Sequence, residues 1–442
     1  MRIGHLVCAG LALAIAAGSP AGAQENALDQ RISGLAKQLE KKVIAWRRDI
    51  HQHPELSNRE FRTSRLVADH LRSIGFTDVR TNVAHTGVVA RLKGGKPGPH
   101  VALRADMDAL PVTEQVDLPF ASKAKGEYNG QEVGVMHACG HDAHTAMLMG
   151  VAELLYSIRE ELPGTVTFIF QPAEEGPPGD EKGGARLMLE EGLFRGDGKP
   201  DAVFGLHVWP GEAGAISYRP RGTMAASDEF HLTIEGRQTH GSSPWLGIDP
   251  ITVAGQMLTA IQMIPSRQLD ITVAPSVITV GKIAGGVRHN IIPDRVEMDG
   301  TIRTFDPEVR KRLLARLEAT VNHVAESAGA RASLEVKPYS PVVYNDPDLT
   351  AWILPSLEKA AGKGRVTERG LIMGAEDFAF YVEEVPGVFF FLGVNKPGVS
   401  PEQAAPNHSP LFYVNEDALI VGVKALSYAA ADYLLSGGGK RP

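Results

Sequence analysis

Cysteine is almost absent from this chain of 442 residues, with only Cys8 and Cys139. A disulfide framework is therefore excluded, and Cys8 falls within an amino-terminal stretch that reads as a leader. That stretch has Arg2, an apolar segment from Leu6 to Ala17, and Ala21-Gly22-Ala23 as a small-residue cleavage site. It predicts removal of residues 1–23, a mature chain starting near Gln24, and an exported protein, periplasmic or secreted. Cys139 is then the single mature thiol, a liability in an oxidising compartment unless buried or tied to a metal. Long charge runs are also missing, and a net charge of −7 argues against nucleic acid or an anionic membrane as partner. Past the leader, no apolar run reaches membrane-spanning length and no repeat recurs.

What is present is enough chain for two domains. Apolar spacing predicts helices over 27–48 and 59–74, the first with Leu35, Leu39, Val43 and Trp46 on one stripe. Short apolar runs at 88–92, 101–103, 166–170 and 202–206 alternate with helical segments such as 143–158, predicting an α/β domain with a mostly parallel sheet. After Gly214 the style changes. Strands at 228–235, 276–282, 295–304 and 331–336 with helices at 251–264 and 307–328 describe a small α+β unit. The β/α style then returns with a helix over 349–361, a buried strand over 387–394 and a last helix over 417–434. The expected layout is a leader over 1–23, a catalytic domain over 27–215 and 337–435, an inserted unit over 216–336, and a disordered tail over 436–442.

The chemistry-bearing residues fall just past the ends of the predicted core strands, where ligands sit in open α/β sheets. Cys139-Gly140-His141-Asp142 precedes the helix at 143, whose dipole favours a thiolate. Helix capping or a Cys-His nucleophile pair remain open for it. Glu174-Glu175 follows the strand at 166–170, Asp106 and Asp108 the strand at 101–103, His207 the strand at 202–206, and His408 the strand at 387–394. Adjacent carboxylates can divide their work, one on a metal and one as a base. Their convergence, rather than any single motif, carries the argument. One thiolate, three imidazoles and one or two carboxylates suit two divalent ions of Zn, Mn, Co or Ni better than Mg or Ca.

These blocks resemble the M20 metallopeptidases, in particular the amidohydrolase branch of hippurate hydrolases, auxin-conjugate hydrolases and N-acyl-amino-acid deacylases. The resemblance runs from about Leu39 to Leu435. It rests on Arg48-Asp49-Ile50-His51-Gln52-His53-Pro54-Glu55, Asp106 to Pro111, Met136 to His144 and Gln171 to Gly176. Gly205-Leu206-His207, Thr239-His240-Gly241, His289 to Asp294, Gly374-Ala375-Glu376-Asp377-Phe378 and Asn407-His408-Ser409 complete it. It implies a catalytic domain with an inserted lid that also mediates homodimerisation. It also implies two metal ions, with Cys139 bridging them and His141, Glu175, His207 and His408 completing the shells. Glu174 would be the proton carrier and Asp108 a supporting acid. Asp106 stands where other branches carry a metal-binding His, which makes it doubtful as a ligand. His240, Asn290 and Arg303 would recognise the substrate carboxylate or oxyanion, His240 from the partner subunit. The implied reaction is hydrolysis of an N-acyl-amino acid, the alternatives being a dipeptidase or carboxypeptidase on the same site, or a binding protein without catalysis. The stretch 176–182 looks longer than the family loop and is expected to reshape the pocket.

Overall fold

The computed structural model describes residues 21–439. The expected leader lies outside the described residues except for its last three, which open the helix Ala21–Gln52. An eight-stranded sheet organises the larger part, in the order Asp78–Val83, Gly87–Lys93, Pro163–Gln171, Lys96–Asp106, Ala202–Trp209, Gly387–Gly393, Ile216–Tyr218, Val366–Glu368. The four central strands run parallel, and antiparallel pairs flank them. The central runs are apolar without interruption because both faces are covered. Phe168, Phe170 and Phe390 pack to one side, under Ala21–Gln52, His141–Ser157, Pro347–Ala361 and Leu419–Leu435. Ile169, Phe389 and Phe391 pack to the other, against Met188, Phe378 and Tyr381.

The inserted unit has its own antiparallel sheet, ordered Ser276–Gly285, Arg295–Thr304, Ala226–Glu235, Arg331–Ser340. Helices Pro250–Met263 and Pro307–Ser327 cover it around a separate core that includes Leu232, Met257, Met298 and Leu313. Each helix starts on an Asp-Pro pair. The Asp249 and Asp306 side chains accept from the first free backbone N–H groups, and the following proline occupies a position with no N–H to satisfy.

Both boundaries of the insert differ from the sequence reading. Ile216–Tyr218, expected in the insert, belongs to the large sheet, pairing with Gly387–Gly393 and Val366–Glu368. Three residues are too few to show a period, so the insert's own sheet begins only at Ala226. At its far end the strand Arg331–Ser340 runs past 336. Of the expected disordered tail, Gly437 and Gly438 donate back to Leu434 and Tyr433 carbonyls, and 440–442 lie outside the described residues. The hairpin Lys125–Tyr128 with Gln131–Gly134 carries half-polar four-residue strands and left no signal in the sequence.

Candidate metal centre

Cys139, His141, Glu174, Glu175, His207 and His408 meet at the carboxyl ends of the central strands. Gly140 makes the first turn possible. Its φ is +91°, and a Cβ there would meet Val208 Cγ2 at 2.3 Å, so a glycine lets the helix start at His141 with Cys139 beside it. His207 enters from the strand Ala202–Trp209, placing Nε2 3.3 Å from Cys139 Sγ. Its Nδ1 lies 2.7 Å from the Val208 carbonyl, which fixes the tautomer with the proton on Nδ1 and leaves the Nε2 lone pair free. His408 has φ +70° and donates its own N–H to Ala138 O at 2.8 Å, a strained backbone held at the site. Asn407 braces this loop by donating to the Cys139 and Val208 carbonyls.

The paired acids stand just past the strand Pro163–Gln171. The Ala173 N–H donates to the buried Glu60 carboxyl, and the Glu175 N–H donates to Asp108 Oδ2 at 3.0 Å. Asp108 also takes the Ser57 hydroxyl and His141 Nδ1, so one carboxylate orients three neighbours. His141 Nε2 is buried with no hydrogen-bond partner among the described residues, and Glu175 Oε1 meets His408 Nε2 at 3.2 Å. Donor atoms of Cys139, His141 and His207 lie within 4.8 Å of one another, and so do those of Cys139, Glu175 and His408. These residues could hold metal ions, with Cys139 common to both triads.

Electrostatics point the same way. Burial opposes charge on His141, but Asp106 and Asp108 outweigh it and lift its pKa to about 10. A place that favours a cation on this ring is one that a metal ion satisfies. The helix dipole expected to favour a Cys139 thiolate is outweighed. Burial first, then Glu175 and Glu174, push the thiol well above its ordinary range, so the thiolate needs a cation beside it. Burial, with Glu376 and Glu175, likewise raises the Glu174 carboxyl well above the usual range, as suits a proton carrier.

Asp106 serves as an anchor. Its carboxylate meets Arg104 Nη1 and His144 Nδ1, each at 2.6 Å. His144 Nε2 in turn accepts the Val208 N–H at 2.8 Å, so both ring nitrogens are engaged and His144 stays out of the donor set. The sequence reading passed over Arg104, which also contacts Glu376 and Asp377, each at 2.9 Å. An arginine two residues before the Asp106 anchor was the available signal. His240 is exposed on the insert, on a two-residue strand paired with Ile291–Ile292. Gly241 N–H donates to the Asn290 carbonyl, which sets Asn290 beside His240. Arg303 lies on the central strand Arg295–Thr304, its guanidinium on Thr301 and the Ile302 carbonyl. None of the three lines either cavity at the centre. Those cavities, about 540 and 370 Å³, share Glu174, Glu175, Ala375, Glu376 and His408. Pro177, Glu181 and Lys182 of the long 176–182 loop wall the larger one, Glu181 being pinned by Arg59. Trp209, Pro210, Met224 and Pro406 wall the smaller one.

The profile of Peptidase family M20/M25/M40 matches residues 102–432. The chain belongs to this family. Among its M20 relatives, thermostable carboxypeptidase 2 of Saccharolobus solfataricus is 40% identical over 413 residues, 92% of this chain and 99% of the relative. N-acetylcysteine deacetylase of Bacillus subtilis is 38% identical over 387 residues, 87% of this chain and 95% of the relative. The crystal structure of the Bacillus subtilis YXEP protein, described as a dinuclear metal binding peptidase from the M20 family, is 36% identical with a TM-score of 0.73. The match covers 90% of this chain and 99% of that one. The fold is that of the M20 peptidases, and the chain is a hydrolase of amide or peptide bonds.

Proposed function

We propose that this M20 hydrolase cleaves N-acyl-amino acids into a carboxylic acid and a free amino acid. Two divalent ions would be held by Cys139, His141, Glu175, His207 and His408. One observation carries the reading. Cys139 belongs to two donor triads at once, with the buried, unpartnered His141 Nε2 beside it. The mixed thiolate, imidazole and carboxylate set suits Zn, Mn, Co or Ni. When bound, the ions would supply Lewis-acid polarisation of the carbonyl and a more acidic water. Glu174 takes a proton from the attacking water as the new C–O bond forms, then gives it to the departing amine as the C–N bond breaks. Asp108 holds the His141 tautomer and the Glu175 backbone, as a carboxylate behind a metal-binding histidine does.

His240, Asn290 and Arg303 are proposed to grip the substrate carboxylate or oxyanion across a homodimer, His240 from the partner subunit. In support, His240 is exposed and the three line neither cavity of their own protomer. Export is likewise proposed, on the leader-like segment. A carboxypeptidase reading has specific support in the 40% identical relative of that name. A panel of N-acyl-amino acids and short peptides, each with a free or amidated carboxylate, separates the two. The mechanism is tested by Glu174→Gln. That variant should keep full metal content by elemental analysis while kcat falls by roughly 10²- to 10⁴-fold. Retained turnover would sink the assignment.

A further inference from the structure

The strand Arg331–Ser340 forms one edge of the insert's sheet and contains a break in register. Ser340 faces Ser227, yet Pro338 already faces Asp228, so Tyr339 has no partner across the ladder. A β-bulge of this kind ejects one residue and re-aims its side chain. Here the ejected phenol comes down on the hydrolytic site of the same protomer. Tyr339 lines the larger cavity together with Glu174, Glu175, Glu376 and His408. Its hydroxyl hangs over Gly176, the residue after the paired acids. A Cβ on Gly176 would come within 2.9 Å of that oxygen, and Gly176 holds φ +91°. The phenol therefore approaches the backbone beside Glu175 as closely as it does because residue 176 has no side chain.

The ring is half exposed, and no side chain among the described residues hydrogen-bonds its hydroxyl. The hydroxyl is thus open to a ligand in the cavity it lines. Carboxylates crowd this corner of the cavity and repel the oxygen's lone pairs, which leaves the O–H as the useful end. An amide substrate lying against Glu174 offers one acceptor at the reacting centre, its carbonyl oxygen.

We propose that Tyr339 is a substrate-contacting residue, its phenol O–H donating to the carbonyl oxygen of the amide being cleaved. This rests on the hydrolytic reading above. It differs from the expected lid contacts in coming from the same protomer, on a bulge rather than on the His240 strand. The contact strengthens as that oxygen gains charge, so its effect falls on kcat more than on KM.

The test is Tyr339→Phe in the full, zinc-loaded chain, a change that removes one oxygen and leaves the ring. On an N-acyl-amino acid that the wild type cleaves, kcat should fall roughly 10- to 100-fold with KM nearly unchanged. Affinity for a phosphinate analogue of the tetrahedral state should fall by the same factor, with metal content and melting temperature as in wild type. A variant within twofold of wild type in both kcat and phosphinate affinity would overturn the proposal. So would a loss confined to KM. Should the wild type cleave no N-acyl-amino acid, the proposed function fails by itself, and phosphinate titration of the two proteins still decides the Tyr339 contact.

Discussion

Arg104 spreads one guanidinium over three carboxylates, Asp106, Glu376 and Asp377, while its Nε donates to Gln171. Burial raises Glu376 to about 8 and Asp377 to about 6 in spite of this cation. Removing the guanidinium leaves buried acids without their counter-charge, and breaking such a pair costs about 3–5 kcal/mol. Arg104→Met should therefore lower the free energy of unfolding by that amount in urea titrations, with a loss below 1 kcal/mol refuting the cluster's structural weight. The individual donors were legible in the sequence because Cys, His and paired acids are rare types and fell just past predicted strands. What could not be read was which donors were already engaged. His144 looks as able to bind a metal as His141 until the Val208 N–H and Asp106 are seen to occupy both its nitrogens. Tyr339 left no mark, since nothing local distinguishes a bulged residue from its neighbours.

Elements with a long period were readable, and short ones were not. The expected strand 295–304 coincides with Arg295–Thr304, and the expected helix 307–328 with Pro307–Ser327, because ten or twenty residues repeat their spacing many times. Ile216–Tyr218 and Val366–Glu368 exist only because Gly387–Gly393 and its neighbours offer an edge, which is tertiary context. Caps are the local chemistry that fixes the long elements' starts. The Asp306 side chain accepts from the Glu308 and Val309 N–H groups at 2.9 and 3.0 Å. Asp306→Ala should cost about 1 kcal/mol in thermal or urea unfolding of the insert, and an unchanged midpoint would show that Pro307 alone sets the helix start.

At the scale of the whole molecule, the insert's other edge is open. Strand Ser276–Gly285 has no neighbour on its outer side among the described residues, and Ile283, Val287 and Ile271 are 51, 95 and 69% exposed. An apolar open edge invites pairing with a second copy. Sedimentation velocity at micromolar concentration should give twice the chain mass, and Ile283→Lys with Val287→Asp should halve it; a monomeric wild type would remove the basis for a His240 contact across subunits. The proposed export is checked by mass spectrometry of protein recovered outside the cytoplasm, which should begin at Gln24. An intact Met1 there would refute processing.

The central sheet joins Ala202–Trp209 directly to Gly387–Gly393, strands that the insert separates along the chain. His207 lies on the first of these, and His408 comes after the second. The proposed donor set is therefore complete only once the two halves of the larger domain have paired across the insert. Closing so long a loop costs entropy that the local helices do not repay. On the proposed ligand set, a complete metal site would form late in folding. A nascent chain halted between residues 208 and 407 would carry four of the five proposed donors, with strand Ala202–Trp209 paired on the Lys96–Asp106 side. The residues after Gly393 are what bring His408 to the proposed donor set.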